Sequence, residues 1–122
     1  MPAFLALGTN IGDRLQNLNE ACERLKCAQV KIVARSKIYE TQSVEGGGPD
    51  DFFNACLRVE TAFSPRELLR HTQNVEIAMG RPHPPRSGPR RIDIDVLLYD
   101  DLHINEPDLQ IPHPRMATRA FV

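Results

Sequence analysis

The chain has 122 residues, 41% of them hydrophobic and 25% charged, with a formal net charge of -1. That length bounds it to one domain with a modest core, and the charge balance gives no electrostatic reason for a general nucleic-acid or membrane binder. No apolar run approaches a membrane span, no secretory signal opens the chain, and the three cysteines form no C-x-x-C pair, so reduced thiols in a cytoplasmic protein are expected.

Residues 3–7 form an apolar run with strand character, closed by the turn Gly8-Thr9-Asn10. From about Asp13, Leu15, Leu18, Cys22 and Leu25 recur at spacings of three and four, which predicts an amphipathic helix to about Cys27. Residues 30–40 are rich in β-branched side chains and predict one continuous second strand. Three consecutive glycines and a proline make residues 45–51 a loop. A third strand is expected over residues 52–62, with Phe53, Ala55, Leu57 and Val59 on one face and Asn54, Arg58 and Glu60 on the other. Ser64 is a good N-cap, Pro65 suits the first helical position, and Glu67 completes a capping box; Gly80 is a natural stop. Four prolines leave residues 81–91 a long irregular connection, and residues 92–99 read as the fourth strand. Beyond it the chain reads as irregular, with only His103-Ile104 suggesting a further short strand. The order β-α-β-β-α-β with right-handed crossovers predicts an α+β, ferredoxin-like sandwich, its helices packed on a mostly antiparallel sheet. That topology hosts many functions and decides nothing about chemistry.

The chemistry is concentrated in the stretch from Arg86 to Asp95. In the strand, Ile92, Ile94 and Val96 fall on one face and Asp93 and Asp95 on the other, the two carboxylates roughly 7 Å apart. Such a pair suits a hard cation such as Mg²⁺, which takes one or two carboxylates plus substrate phosphates. Arg86, Arg90 and Arg91 just upstream offer planar donor forks for phosphate. Metal-binding acids beside phosphate-binding arginines suggest phosphoryl transfer. The bland alternative is a half-buried strand with a solvated acidic face, and an isolated D-x-D does not exclude it.

Five further blocks accompany this stretch: Leu7-Gly8-Thr9-Asn10, Tyr39-Glu40-Thr41, residues 51–55 (Asp-Phe-Phe-Asn-Ala), residues 111–116 (Ile-Pro-His-Pro-Arg-Met) and Arg119-Ala120-Phe121-Val122. With Gly88-Pro89-Arg90-x-x-Asp93-Ile94-Asp95, they resemble the hydroxymethyldihydropterin pyrophosphokinases across nearly the whole chain. The resemblance implies Mg²⁺-dependent transfer of pyrophosphate from ATP to the hydroxymethyl group of 6-hydroxymethyl-7,8-dihydropterin, with AMP released, in folate biosynthesis. It implies that Asp93 and Asp95 hold two Mg²⁺ ions, with Arg81 and Arg90 beside them in the catalytic machinery. ATP would be bound by Gln73, Arg81, Arg86, Arg90, Ile111, His113 and Arg119. The pterin would be bound by Thr41, Val44, Phe52, Asn54 and Phe121, two aromatic rings sandwiching the bicycle and Asn54 pairing with its polar edge.

Taken singly, these residues have plainer readings. Phe52 could face a second apolar layer, Thr41 and Asn54 could cap turns, and His113 could be a loop residue between prolines. Glu76 either lines the site or holds Arg81 at the helix end. His71, His83 and His103 share no metal-ligand spacing and read as structural or solvated. Ser87 stands where many members of the family carry Trp, so a less tightly sealed pterin site is expected. The loop before it looks one residue short, which makes Arg86 the choice for the phosphate-binding loop arginine. Family members usually continue for a further helix and strands, so residues 1–122 are expected to be one pterin pyrophosphokinase domain lacking that C-terminal extension. Lower stability and weaker pterin binding would follow. ATP and the pterin are the expected partners of a monomer, and fusion to or contact with other folate enzymes is compatible with that expectation. Two rivals remain: a catalytically silent nucleotide-binding relative and a ferredoxin-like RNA-binding module. The RNA reading needs aromatic and basic side chains along the open face of the third strand. That face reads Phe52, Asn54, Cys56, Arg58 and Glu60.

Overall fold

A strand that alternates apolar and small residues lies at the centre of the sheet. In the computed structural model, which describes residues 1–9, 12–41, 52–80 and 92–113, this strand β1 (Pro2–Thr9) buries Ala3, Leu5, Leu7 and Thr9 on one face. Phe4, Ala6 and Gly8 fall on the other. β4 (Phe52–Thr61) pairs with one side of β1 and β5 (Asp93–Tyr99) with the other, both antiparallel. β2 (Val30–Arg35) lies outside β4, giving the order β2-β4-β1-β5.

Two helices cover the buried face. α1 (Arg14–Leu25) starts at Asp13, whose carboxylate accepts the Gln16 N–H at 3.0 Å, and buries Leu18, Ala21, Cys22 and Leu25. Asn17, also buried, donates to the Thr9 hydroxyl at 3.1 Å and so ties α1 to the end of β1. α2 (Pro65–Ala78) carries the expected punctuation. Ser64 Oγ accepts the Glu67 N–H, the Glu67 carboxylate accepts the Ser64 N–H, and Gly80 closes the end at φ +105. Leu68, Val75 and Met79 join Leu5, Leu7, Leu57, Val59, Ile94 and Val96 in one core.

Two expectations are corrected. The strand predicted over residues 30–40 is broken: β2 ends at Arg35 and a separate β3 (Tyr39–Thr41) pairs further along the same edge of β4. Ser36 explains the break, because its hydroxyl accepts the Cys56 N–H at 2.8 Å while its own N–H donates to the Cys56 carbonyl. A side chain has taken a ladder position from the backbone. The segment after β5 is also more regular than expected. β6 (Ile104–Glu106) and β7 (Leu109–Ile111) form an antiparallel hairpin around Pro107-Asp108, and Leu109 and Ile111 are buried in the core.

β5 contains one irregularity. Leu5 pairs with Val96 but Phe4 with Leu98, so Leu97 is an extra residue in the ladder. Ile94 and Val96 face the core before this bulge, and Tyr99 does so after it. The Tyr99 hydroxyl donates to the Phe63 carbonyl.

Candidate active site

On the open face, the register lines residues from three strands into rows. Asn54 of β4, Gly8 of β1 and Asp93 of β5 form one row, and Cys56, Ala6 and Asp95 form the next. Neighbouring strands are about 4.8 Å apart, so Asn54 and Asp93 stand about 10 Å from one another across a floor of small residues. A Cβ on Gly8 would lie 3.1 Å from Asn54 Oδ1 and 3.7 Å from the Phe52 ring, so the glycine makes room for both. The Asn54 amide is buried and donates to the Tyr39 carbonyl of β3 at 3.2 Å. β3 is in turn braced to α1, since Arg14 bonds Glu40 at 3.3 Å and lies 3.9 Å above the Phe53 ring.

The backbone between the aspartates is held by α2. Glu76 of α2 is buried, and its carboxylate accepts the N–H of Ile94, the residue between them, at 2.8 Å. Of the two readings of Glu76, the one that involves Arg81 lies outside the described residues; the bond to Ile94 ties the carboxylate to β5. On the edge of β5, the His113 N–H donates to the Leu97 carbonyl at 2.9 Å, and His113 Nε2 stands 3.7 Å from Asp95 Oδ1. Asp95 and His113 border a groove of about 310 Å³ between α2, β5 and the hairpin, its other walls including Leu69, Val96, Pro107 and Gln110. That volume lies at the lower end of the range for small-molecule sites.

Of the residues singled out from the sequence, the structure brings Asp93, Asp95, Phe52, Asn54 and His113 to the rows and the groove edge. Gln73 is exposed on α2, one turn beyond Leu69, and Ile111 is buried in the core with its backbone paired to Ile104. Thr41 ends β3. Val44, Arg81, Arg86, Ser87, Arg90, Arg119 and Phe121 lie outside the described residues. Sequence reasoning missed the groove walls at Leu69 and residues 107–110. The signal available was Pro107-Asp108, a turn pair with Ile104 before it and Leu109 and Ile111 after it.

Two carboxylates on one open strand face, a histidine beside one of them, an adjoining groove and a buried carboxamide across a small-residue floor thus lie together in one part of the molecule. A family model described as 7,8-dihydro-6-hydroxymethylpterin-pyrophosphokinase (HPPK) matches residues 4–122. The 2-amino-4-hydroxy-6-hydroxymethyldihydropteridine pyrophosphokinase of Bacillus subtilis (strain 168) is 41% identical over 121 residues, covering 98% of this chain and 72% of that protein. The bifunctional protein FolKE of Lactococcus lactis subsp. lactis (strain IL1403) is 42% identical over 98% of this chain, which spans only 34% of the Lactococcus protein. The crystal structure of an HPPK-DHPS in complex with substrates superposes with a TM-score of 0.66 at 16% identity, covering 97% of this chain and 38% of that one. The chain belongs to the HPPK family.

Proposed function

We propose that this chain transfers the pyrophosphoryl group of ATP to the hydroxymethyl oxygen of 6-hydroxymethyl-7,8-dihydropterin in folate synthesis. The oxygen attacks the β-phosphorus, the bond from that phosphorus to the α,β-bridging oxygen breaks, the alcohol proton leaves to solvent, and AMP departs. The observation that carries this reading is the row Asn54–Gly8–Asp93. It supports a pterin-orienting carboxamide and a phosphate-side carboxylate on one open face, about 10 Å apart, with Gly8 as the residue between them in the row.

Phe52 stacks on the flat heterocycle, opposite Phe121, while Asn54 pairs with its polar edge beside Thr41 and Val44. The nucleotide base enters the groove beside Leu69 and Val96, with His113 toward the phosphates and Gln73 of α2 near the nucleotide. Arg81, Arg86, Arg90 and Arg119 neutralise charge on the phosphate oxygens. Asp93 and Asp95 are hard oxygen donors on one accessible face and would hold the two Mg²⁺ ions, which when bound would supply charge neutralisation and a lower pKa for the attacking alcohol. We read the path β1-α1-β2-β4-α2-β5 as a ferredoxin-like sandwich in one domain, acting as a cytoplasmic monomer.

The test is AMP release from ATP with Mg²⁺, with and without the pterin, on wild type and Asp95→Ala. Pterin-dependent AMP that falls by about a hundredfold or more in the variant is the expected result. AMP release that ignores the pterin, or survives the substitution, would overturn the reading.

A further inference from the structure

The first turn of α2 and the turn of the hairpin are joined by one guanidinium. Arg66 Nη1 and Nη2 grip both oxygens of Asp108 at 2.8 and 3.1 Å, and Nη2 also donates to Glu106 Oε1. Asp108 belongs to the groove wall together with Pro107, and Leu69, one turn along α2 from Arg66, is the wall opposite. The three charged groups therefore link the first turn of α2 to the hairpin, the two elements that wall this side of the groove. The fork is planar and bidentate on one carboxylate, the geometry in which an arginine fixes direction as well as distance. Consistent with that grip, the Arg66 hydrogen bond holds the Asp108 carboxyl below its ordinary value.

We infer that Arg66 is a positioning residue for the nucleotide. By clamping Glu106 and Asp108 it sets the width of the groove that takes the base, without touching substrate itself. This rests on the assignment of the groove to the nucleotide. It makes a specific demand: loss of the clamp weakens ATP and spares the pterin, whose row lies on the open face, across the sheet from the buried face that α2 covers.

The experiment is steady-state kinetics with each substrate varied in turn, on wild type, Arg66→Ala and the charge exchange Arg66→Asp with Asp108→Arg. Binding of the Mg²⁺ complex of a non-hydrolysable ATP analogue is measured by calorimetry alongside. The expected result is a KM for ATP raised about fivefold in Arg66→Ala, the scale of an exposed ion-pair network, with matching loss of analogue affinity and unchanged pterin KM and kcat. The exchange variant recovers at least half of that loss. An active wild type whose Arg66→Ala variant keeps its ATP KM, or shifts both substrates equally, would overturn the clamp and leave the reaction assignment standing. A wild type that neither binds the analogue nor turns over would instead overturn the groove assignment, and the clamp with it.

Discussion

At the scale of single residues, the site depends on what is small and on what is buried. Gly8 is needed for space: a methyl there presses the Asn54 carboxamide at 3.1 Å and approaches Phe52. Gly8→Ala is therefore expected to raise the pterin KM by about tenfold, the cost of one displaced hydrogen bond, with ATP KM little changed. Equal losses for both substrates would show a general distortion of the sheet instead. Glu76 is the reverse case, a buried carboxylate kept by the N–H of Ile94. Glu76→Leu leaves that N–H without its acceptor and should cost about 2 kcal/mol in urea unfolding, while Glu76→Gln, which keeps an acceptor oxygen, should cost clearly less. An equal midpoint for wild type and Glu76→Leu would remove the bond from the account of how β5 is held.

At the scale of elements, α2 depends on its first turn. Hydrogen bonds from Ser64 hold the Glu67 carboxyl below its ordinary value. A carboxyl whose folded pKa is depressed contributes stability that is fully present above its unfolded pKa and lost as pH falls through the folded value. The difference in stability between wild type and Glu67→Gln should thus be constant near neutrality, begin to shrink as pH falls to the ordinary glutamate range, and vanish only once pH has passed the depressed folded value, followed by chemical unfolding at a series of pH values. Ser64→Ala should cost about 1 kcal/mol at pH 7. This capping box was legible because every group in it is local. The break at Ser36 was not: a hydroxyl displaces a ladder bond only when Cys56 lies opposite, and pairing between distant segments is not written in either one. The hairpin at residues 104–111 lies between these cases, its turn pair readable but its strands too short to show a period.

At the scale of the whole molecule, the facing of Asp93 and Asp95 was legible from alternation alone, and the row that gives them a partner was not. Asn54 and Asp93 meet across Gly8 only through the antiparallel pairing of β4 and β5 with β1, which places them in one row on either side of the central strand. Because backbone ladders hold these rows, the apo site is expected to persist without metal. Chelation with EDTA should abolish turnover reversibly and shift the melting midpoint by less than about 4 °C, under 1 kcal/mol for a domain of this size. A larger fall would mean that the ion is structural.

The extra residue at Leu97 gives β5 two reading frames. Upstream of it, even-numbered residues face the core and the aspartates look out; downstream, Tyr99 takes the inward place. If the ladder ran on without the bulge, Leu97 would take the place opposite Phe4, and the strand would have either to expel Tyr99 or to turn both carboxylates into the hydrocarbon interior. The bulge is thus what allows the acidic end of the strand and its anchoring end to answer to different demands.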